Sequence, residues 1–298
     1  MINEVRNGYE VRTLVSSDGG TRASFVPEKG GAGSSLVIAG RELLFLHDFF
    51  WDRQTENIPG GWPFLFPICG RLERDGRAGE YLHEGRTYRM PIHGFGPRVP
   101  WSVVESGRDD TLILRLEDTD ATRAMYPFRF EVVLTYRAER NALVCEQSYV
   151  NRGDVPMPYY AGFHPYFLTP SPGAGKESVA LDYRPVRAFR YNGRFTGLAE
   201  EVPPPPVPVT AHAAAVLEQR LTEVGADRGM RIVMPDGFEI RMEAELFPYI
   251  QLYTMPDKPF LCVEPWMGVP NALNTVAGAR WLKPGQVERG MLRVWIAA

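Results

Sequence analysis

Short runs of apolar and polar residues in alternation, broken about every 8–12 residues by turn-forming residues, cover most of the chain, as expected for half-buried antiparallel strands. Near the start they span Tyr9 to Leu14, Thr21 to Val26, Ser34 to Ile38 and Leu43 to Leu46. They continue through Trp101 to Glu105, Thr111 to Glu117, Phe128 to Arg137 and Ala142 to Asn151. Along Phe128 to Arg137, Phe130, Val132, Leu134 and Tyr136 form one apolar face, while Glu131, Val133 and Thr135 form a mixed one. Helical periodicity is scarce: Asp118 to Met125 reads as a helical turn and Ala211 to Leu217 as a short helix. The pattern predicts an all-β chain built as a large sandwich or barrel-like sheet pair. Pro203 to Pro206 must be extended, and too few residues follow to form an independent core easily. The segment therefore reads as a surface crossover within a single domain spanning residues 1–298, and Ser178 to Glu201 reads as peripheral to the core.

Composition narrows the function classes. With 44% apolar and 23% charged residues, the chain can bury a sizeable core. A net charge of -3 argues against a general nucleic-acid binder. No apolar run has the length of a transmembrane helix, and Met1 to Arg6 lacks the apolar core of a secretory signal, so no membrane role is expected. The three cysteines, Cys69, Cys145 and Cys262, are far apart, with neither metal-ligand spacing nor a disulfide framework. The expected setting is a reducing cytoplasm.

Candidate chemistry gathers at four places. Ala161-Gly162-Phe163-His164-Pro165-Tyr166-Phe167 sets an imidazole among aromatic rings at the mouth of a strand, where alternation groups it with Tyr160 and Tyr166. A titratable ring beside aromatic faces suits a sugar, although a satisfied core histidine fits the same pattern. Asn57 to Leu72 carries three prolines in an apolar run and reads as a buried irregular loop ending at Arg71, whose fork suits hydroxyl pairs or a carboxylate. His93 precedes Gly94-Phe95-Gly96, where backbone can approach a ligand or another strand closely. Tyr249 to Thr254 and Phe260 to Glu264 form a hairpin whose second strand ends on an acid, Glu264. Its five-residue connection leaves the register open. Pairing of Gln251 with Glu264 puts both on one face, and a slip by one residue turns Gln251 away.

With these residues placed, the chain resembles the aldose 1-epimerase (mutarotase) family. The resemblance rests on Ile92-His93-Gly94-Phe95 followed by Trp101, on Gly162 to Phe167, and on Cys262-Val263-Glu264-Pro265-Trp266. Gly70-Arg71, Tyr126-Pro127-Phe128, Gln251-Leu252-Tyr253-Thr254 and Leu282-Lys283-Pro284-Gly285 support it, in the family's order along nearly the whole chain. It implies a galactose mutarotase-like β-supersandwich of large twisted antiparallel sheets with the sugar in an open cleft. It also implies Glu264 as the base at O1, His164 as the acid at O5 and His93 in support. Arg71 would bind ring hydroxyls and Gln251 would face the sugar. The family's additional sugar-binding aspartate has no clear place here: Asp182, Asp227 and Asp236 are available, with Asp227 favoured. The expected partner is a small aldose, with no metal and no organic cofactor, and the protein is a monomer or a homodimer.

Two alternatives stand beside this reading. Gly60-Gly61-Trp62-Pro63 is similar to the related hexose-6-phosphate epimerases, and Arg71, Arg74, Arg77 and Arg98 could form a phosphate clamp. A carbohydrate-binding protein of the same fold without turnover is the other, but binding alone does not need an acid and base pair.

Overall fold

The structure, a computed structural model, describes residues 1–52 and 59–297. Asn57 and Ile58 of the proline-rich loop lie outside the described residues. The described residues form three large antiparallel sheets of five, nine and eight strands. The strands Phe130–Glu139 and Ala142–Asn151 run antiparallel over their whole length at the heart of the nine-stranded sheet. Along Phe130–Glu139 buried and partly exposed residues alternate without exception. The buried row forms the seam between layers. Phe130 packs on Phe66, and Tyr136 packs on Phe25 of the five-stranded sheet. Tyr149 on the next strand stacks with Phe64, which lies in the edge strand Phe64–Leu65 of the eight-stranded sheet. Each such ring pair contributes about 0.5–1.5 kcal/mol beyond its buried area, so the aromatic seam orients the sheets as well as joining them.

Local chemistry explains most departures from the alternation pattern. Leu43 to Leu46 is not a strand. The Glu42 carboxylate accepts the Leu36 and Leu44 amides, ending the ladder after two residues, and the chain then crosses toward Tyr166. The helical turn Asp120–Met125 begins at a capping box on Thr119 and Thr122. The four prolines link strand Leu198–Val202 of the eight-stranded sheet to Val209–Thr210 at the edge of the nine-stranded one. Strand Phe260–Trp266 continues two residues past Glu264, so the acid lies inside a buried strand and not at its end. Ser178 to Glu201 is not peripheral either, because strand Pro185–Tyr191 joins the eight-stranded sheet and carries Tyr191 into its interior.

Candidate active site

One face of strand Phe260–Trp266 forms the floor of the site. Cys262, Glu264 and Trp266 share that face because side chains alternate along a strand. On one side it pairs with Tyr249–Tyr253 in the register Gln251 to Glu264 and Tyr253 to Cys262, so Gln251 projects from the same face as the acid. Thr254 Oγ1 donates to the Phe260 carbonyl, and the Lys176 ammonium donates to the Met255 and Lys258 carbonyls, tying down the connection. On the other side lie Gly162–Phe163 and Tyr166–Leu168. A Cβ on Gly162 would lie 2.9 Å from Trp266 Cδ1, so only glycine allows the close crossing that carries His164 over Glu264.

His164 and Glu264 meet in this crossing. His164 Nε2 lies 3.3 Å from Glu264 Oε1, and the carboxylate is only 1% exposed. The Trp266 indole donates to Oε2 at 3.2 Å, while Oε1 and His164 Nδ1 have no hydrogen-bond partner among the described residues. A buried polar atom in that condition costs about 1–3 kcal/mol and marks a place built to receive another group. Burial pushes the Glu264 carboxyl well above its usual range, and the Trp266 hydrogen bond only partly offsets it. Burial likewise pushes the His164 imidazole down to about 3. Its ring stacks on Tyr166 with centroids 4.7 Å apart. Tyr160 does not join them, because the chain changes partner strands between Met157–Tyr159 and Gly162–Phe163.

His93 completes the group from a separate loop. Its ring centroid lies 5.5 Å from that of His164 and 5.8 Å from Trp266. The loop is tightly folded: His93 has φ of 62°, and a Cβ on Gly94 would lie 2.1 Å from the Phe66 carbonyl oxygen. Arg98 Nη1 donates to the Ile92 and Gly94 carbonyls on either side of His93 and holds this conformation. His93 Nδ1 accepts the Gly70 amide at 3.1 Å, which leaves the proton on Nε2. Burial first, then His164 and the charges of Arg98 and Arg71, holds its titration well below the usual imidazole range. His93 is thus a neutral ring whose Nε2–H is its donor.

The remaining candidates divide. Arg71 follows the buried stretch Gly60 to Gly70 but is itself exposed, and its charge is felt at His93. It stands at the rim and not inside the loop, with no acceptor for its guanidinium among the described residues. Gln251 is buried beside the acid, but its amide is committed: Oε1 accepts the Tyr191 hydroxyl at 2.6 Å and Nε2 donates to the Glu218 carbonyl at 2.9 Å. Asp227 is not brought to the site. It lies in an exposed turn, capping the Gly229 amide and facing Arg184. Asp182 and Asp236 pair with Arg231 and Arg41 at the surface. Tyr191, which the sequence reading overlooked, is buried close enough to Glu264 for its charge to be felt there. An aromatic ending an ordinary alternating strand carries no sign of a site, and only the sheet order reveals it.

Among the described residues, His164, Cys262 and Glu264 are also the one place where three side chains able to hold a metal converge. No helix of the described residues is long and apolar enough to cross a membrane.

Comparison with known proteins bears on the fold and the family. Residues 12–188 match the aldose 1-epimerase family pattern. Protein LacX (chromosomal) of Lactococcus lactis subsp. lactis is 24% identical over 245 residues, which are 76% of this chain and 80% of LacX. The Slr1438 protein of Synechocystis sp. PCC 6803 superposes with a TM-score of 0.82 at 28% identity, covering 96% of this chain and 95% of its own. A galactose mutarotase related enzyme of Lactobacillus acidophilus superposes with a TM-score of 0.81 at 23% identity, covering 96% of this chain and 97% of its own. The fold is therefore galactose mutarotase-like.

Proposed function

Because the chain belongs to the aldose 1-epimerase family, we propose that it is a mutarotase, interconverting the α and β anomers of a free aldose by acid–base ring opening. The observation that carries this reading is the buried pair of Glu264 and His164 in contact at 3.3 Å, with Glu264 Oε1 lacking a hydrogen-bond partner among the described residues. Ring opening removes the O1 proton and delivers one to O5. Rotation about the C1–C2 bond and closure reverse both transfers. The site must therefore hold one base and one acid that exchange roles within each turnover.

A pair that shares one proton meets this requirement. Before sugar enters, burial favours the neutral distribution, with the proton on Glu264 and an uncharged His164. Sugar hydroxyls reaching Glu264 Oε1 supply the hydrogen bonds that the carboxylate lacks and shift the proton to His164. Glu264 then takes the O1 proton while His164 protonates O5. The open-chain sugar faces the neutral pair again, ready for closure. The His93 Nε2–H donates near O5, and Arg71 at the rim binds outer hydroxyls. Gln251 holds the site's shape through Tyr191. This scheme needs neither a metal nor an organic cofactor.

Trp266 tunes the pair. Trp266→Phe removes the donor to Glu264 Oε2 and drives the carboxyl further toward its protonated form. The expected loss in kcat/KM is on the order of tenfold, since hydrogen bonds to charged groups contribute about 1.5–3 kcal/mol. Folding should be unimpaired by circular dichroism. Unchanged kinetics would show that this hydrogen bond does not govern the base.

A free sugar fits better than a sugar phosphate. Of the four arginines that could clamp phosphate, Arg98 is spent on its own loop, Arg74 faces Asp75 and Thr87, and Arg77 faces Glu80. Only Arg71 is left. Polarimetry of freshly dissolved α-glucose and α-galactose should show acceleration by the protein, with glucose 6-phosphate at least tenfold slower in kcat/KM. A preference for the phosphate would overturn the choice of substrate. No acceleration of any of the three would favour a binding protein without turnover.

A further inference from the structure

We propose that His164, Cys262 and Glu264 form an inhibitory site for a thiophilic divalent cation, of which zinc is the type, and that the cation and the sugar compete for it. Nothing in the cysteine spacing along the chain points to such a site. It arises because Cys262 and Glu264 are two apart on one strand, on the same face, while the Gly162 crossing brings His164 over them. One ligand atom from each residue lies within 4.8 Å of the others, and all three residues are buried. Zinc takes nitrogen and oxygen ligands at about 2.0–2.2 Å, so two of them at a tetrahedral angle are separated by about 3.4 Å. The observed Nε2 to Oε1 distance of 3.3 Å already matches that edge. The sulfur needs to approach by roughly 1 Å to reach the edge set by a Zn–S bond of about 2.3 Å.

A second feature is independent of the spacing. Glu264 Oε1, on a carboxylate 1% exposed, has no hydrogen-bond partner among the described residues and faces His164 Nε2. A bound cation would satisfy it. The donor set of thiolate, imidazole and one carboxylate suits zinc, cadmium or cobalt and excludes magnesium and calcium, which need a shell of oxygens. Binding displaces two protons to solvent, one from the thiol and one from Glu264, and the two anionic ligands then neutralise the divalent charge beside a neutral His164. The fourth position stays open to water. A cation held there occupies both the base and the acid, so turnover stops.

The competition with sugar rests on the mutarotase reading, but the binding itself does not, and the two are measured separately. Cobalt titrated into the intact protein should produce the thiolate-to-cobalt charge-transfer absorption at one equivalent per chain, and zinc should bleach it. Excess galactose should weaken cobalt binding. In the polarimetric assay zinc should inhibit, and a chelator should restore full activity. Cys262→Ser, which keeps the size of the side chain, should lose the absorption band and, measured against its own metal-free rate, raise the zinc concentration for half-inhibition at least tenfold. Absence of the band from the unaltered protein, or equal zinc sensitivity in Cys262→Ser, would overturn the proposal. A band in a protein without mutarotase activity would leave the cation site standing and remove the reading of the pair. Activity without the band would do the reverse.

Discussion

Glu264→Gln should lower the mutarotation rate by a factor on the order of 10² or more and at the same time stabilise the protein at neutral and alkaline pH. The first effect follows from loss of the base, because glutamine keeps the shape and the acceptor for Trp266 but cannot take a proton. The second follows from burial. The folded-state titration of Glu264 is raised well above 4.5. Such a carboxyl favours the fold fully below its unfolded pKa, and that contribution is lost as pH rises through the folded value. Wild type therefore carries a cost at pH 7 and above that the amide does not, and below about pH 4 the two should converge. Each kcal/mol relieved should appear as roughly 1.5–2 °C in Tm at this chain length. Thermal melts at pH 4 and pH 8 alongside polarimetry check both effects. A variant that folds and turns over at the normal rate, or one less stable than wild type at pH 8, contradicts the role and the electrostatics respectively.

Next in expected size is His164→Asn. Asparagine keeps a polar group under the sugar but cannot carry the proton to O5, and the rate should again fall on the order of 10² or more. The pH profile should change shape as well. In the wild type the pair keeps its single proton from the lowered His164 value of about 3 up to the raised Glu264 value, so kcat/KM should be flat across the neutral range. Activity should fall only where the pair gains a second proton in acid or loses its last one in alkali. Without His164 only the base titrates, and the residual rate should climb with pH as Glu264 ionises. Stopped-flow polarimetry of galactose in buffers from acid to alkaline resolves the two shapes. A residual rate that stays flat would mean that Glu264 does not act as the base.

The sheets were legible in the sequence to the extent that alternation is local. Ala142–Asn151 appears with the bounds its pattern predicts, and the apolar row from Phe130 to Tyr136 faces the core. Leu43 to Leu46 misled because Glu42, a side chain, takes the place of a backbone partner there. His164, His93 and Glu264 stood out because each type is unusual at a buried strand or a tight loop. Their meeting depends on the Gly162 crossing and on sheet order, which no single segment encodes. The hairpin register was open in the sequence because its five-residue connection is fixed by Lys176, distant along the chain. Arg71 read as buried because the loop before it is, but the burial ends at Gly70. Asp227 and Tyr191 show the converse limits. An aspartate in a glycine-rich turn draws attention and proves to cap that turn, while a tyrosine in an ordinary strand draws none and lies beside the acid.

The most direct test is the approach of freshly dissolved α-galactose to its equilibrium rotation, followed with no protein, with the wild type and with Glu264→Gln at equal concentration. The wild type should shorten the approach in proportion to enzyme added and reach the same final rotation, while Glu264→Gln should barely exceed the uncatalysed rate. A wild-type trace that overlays the protein-free one, or a Glu264→Gln trace that overlays the wild type, would contradict acid–base mutarotation at this pair.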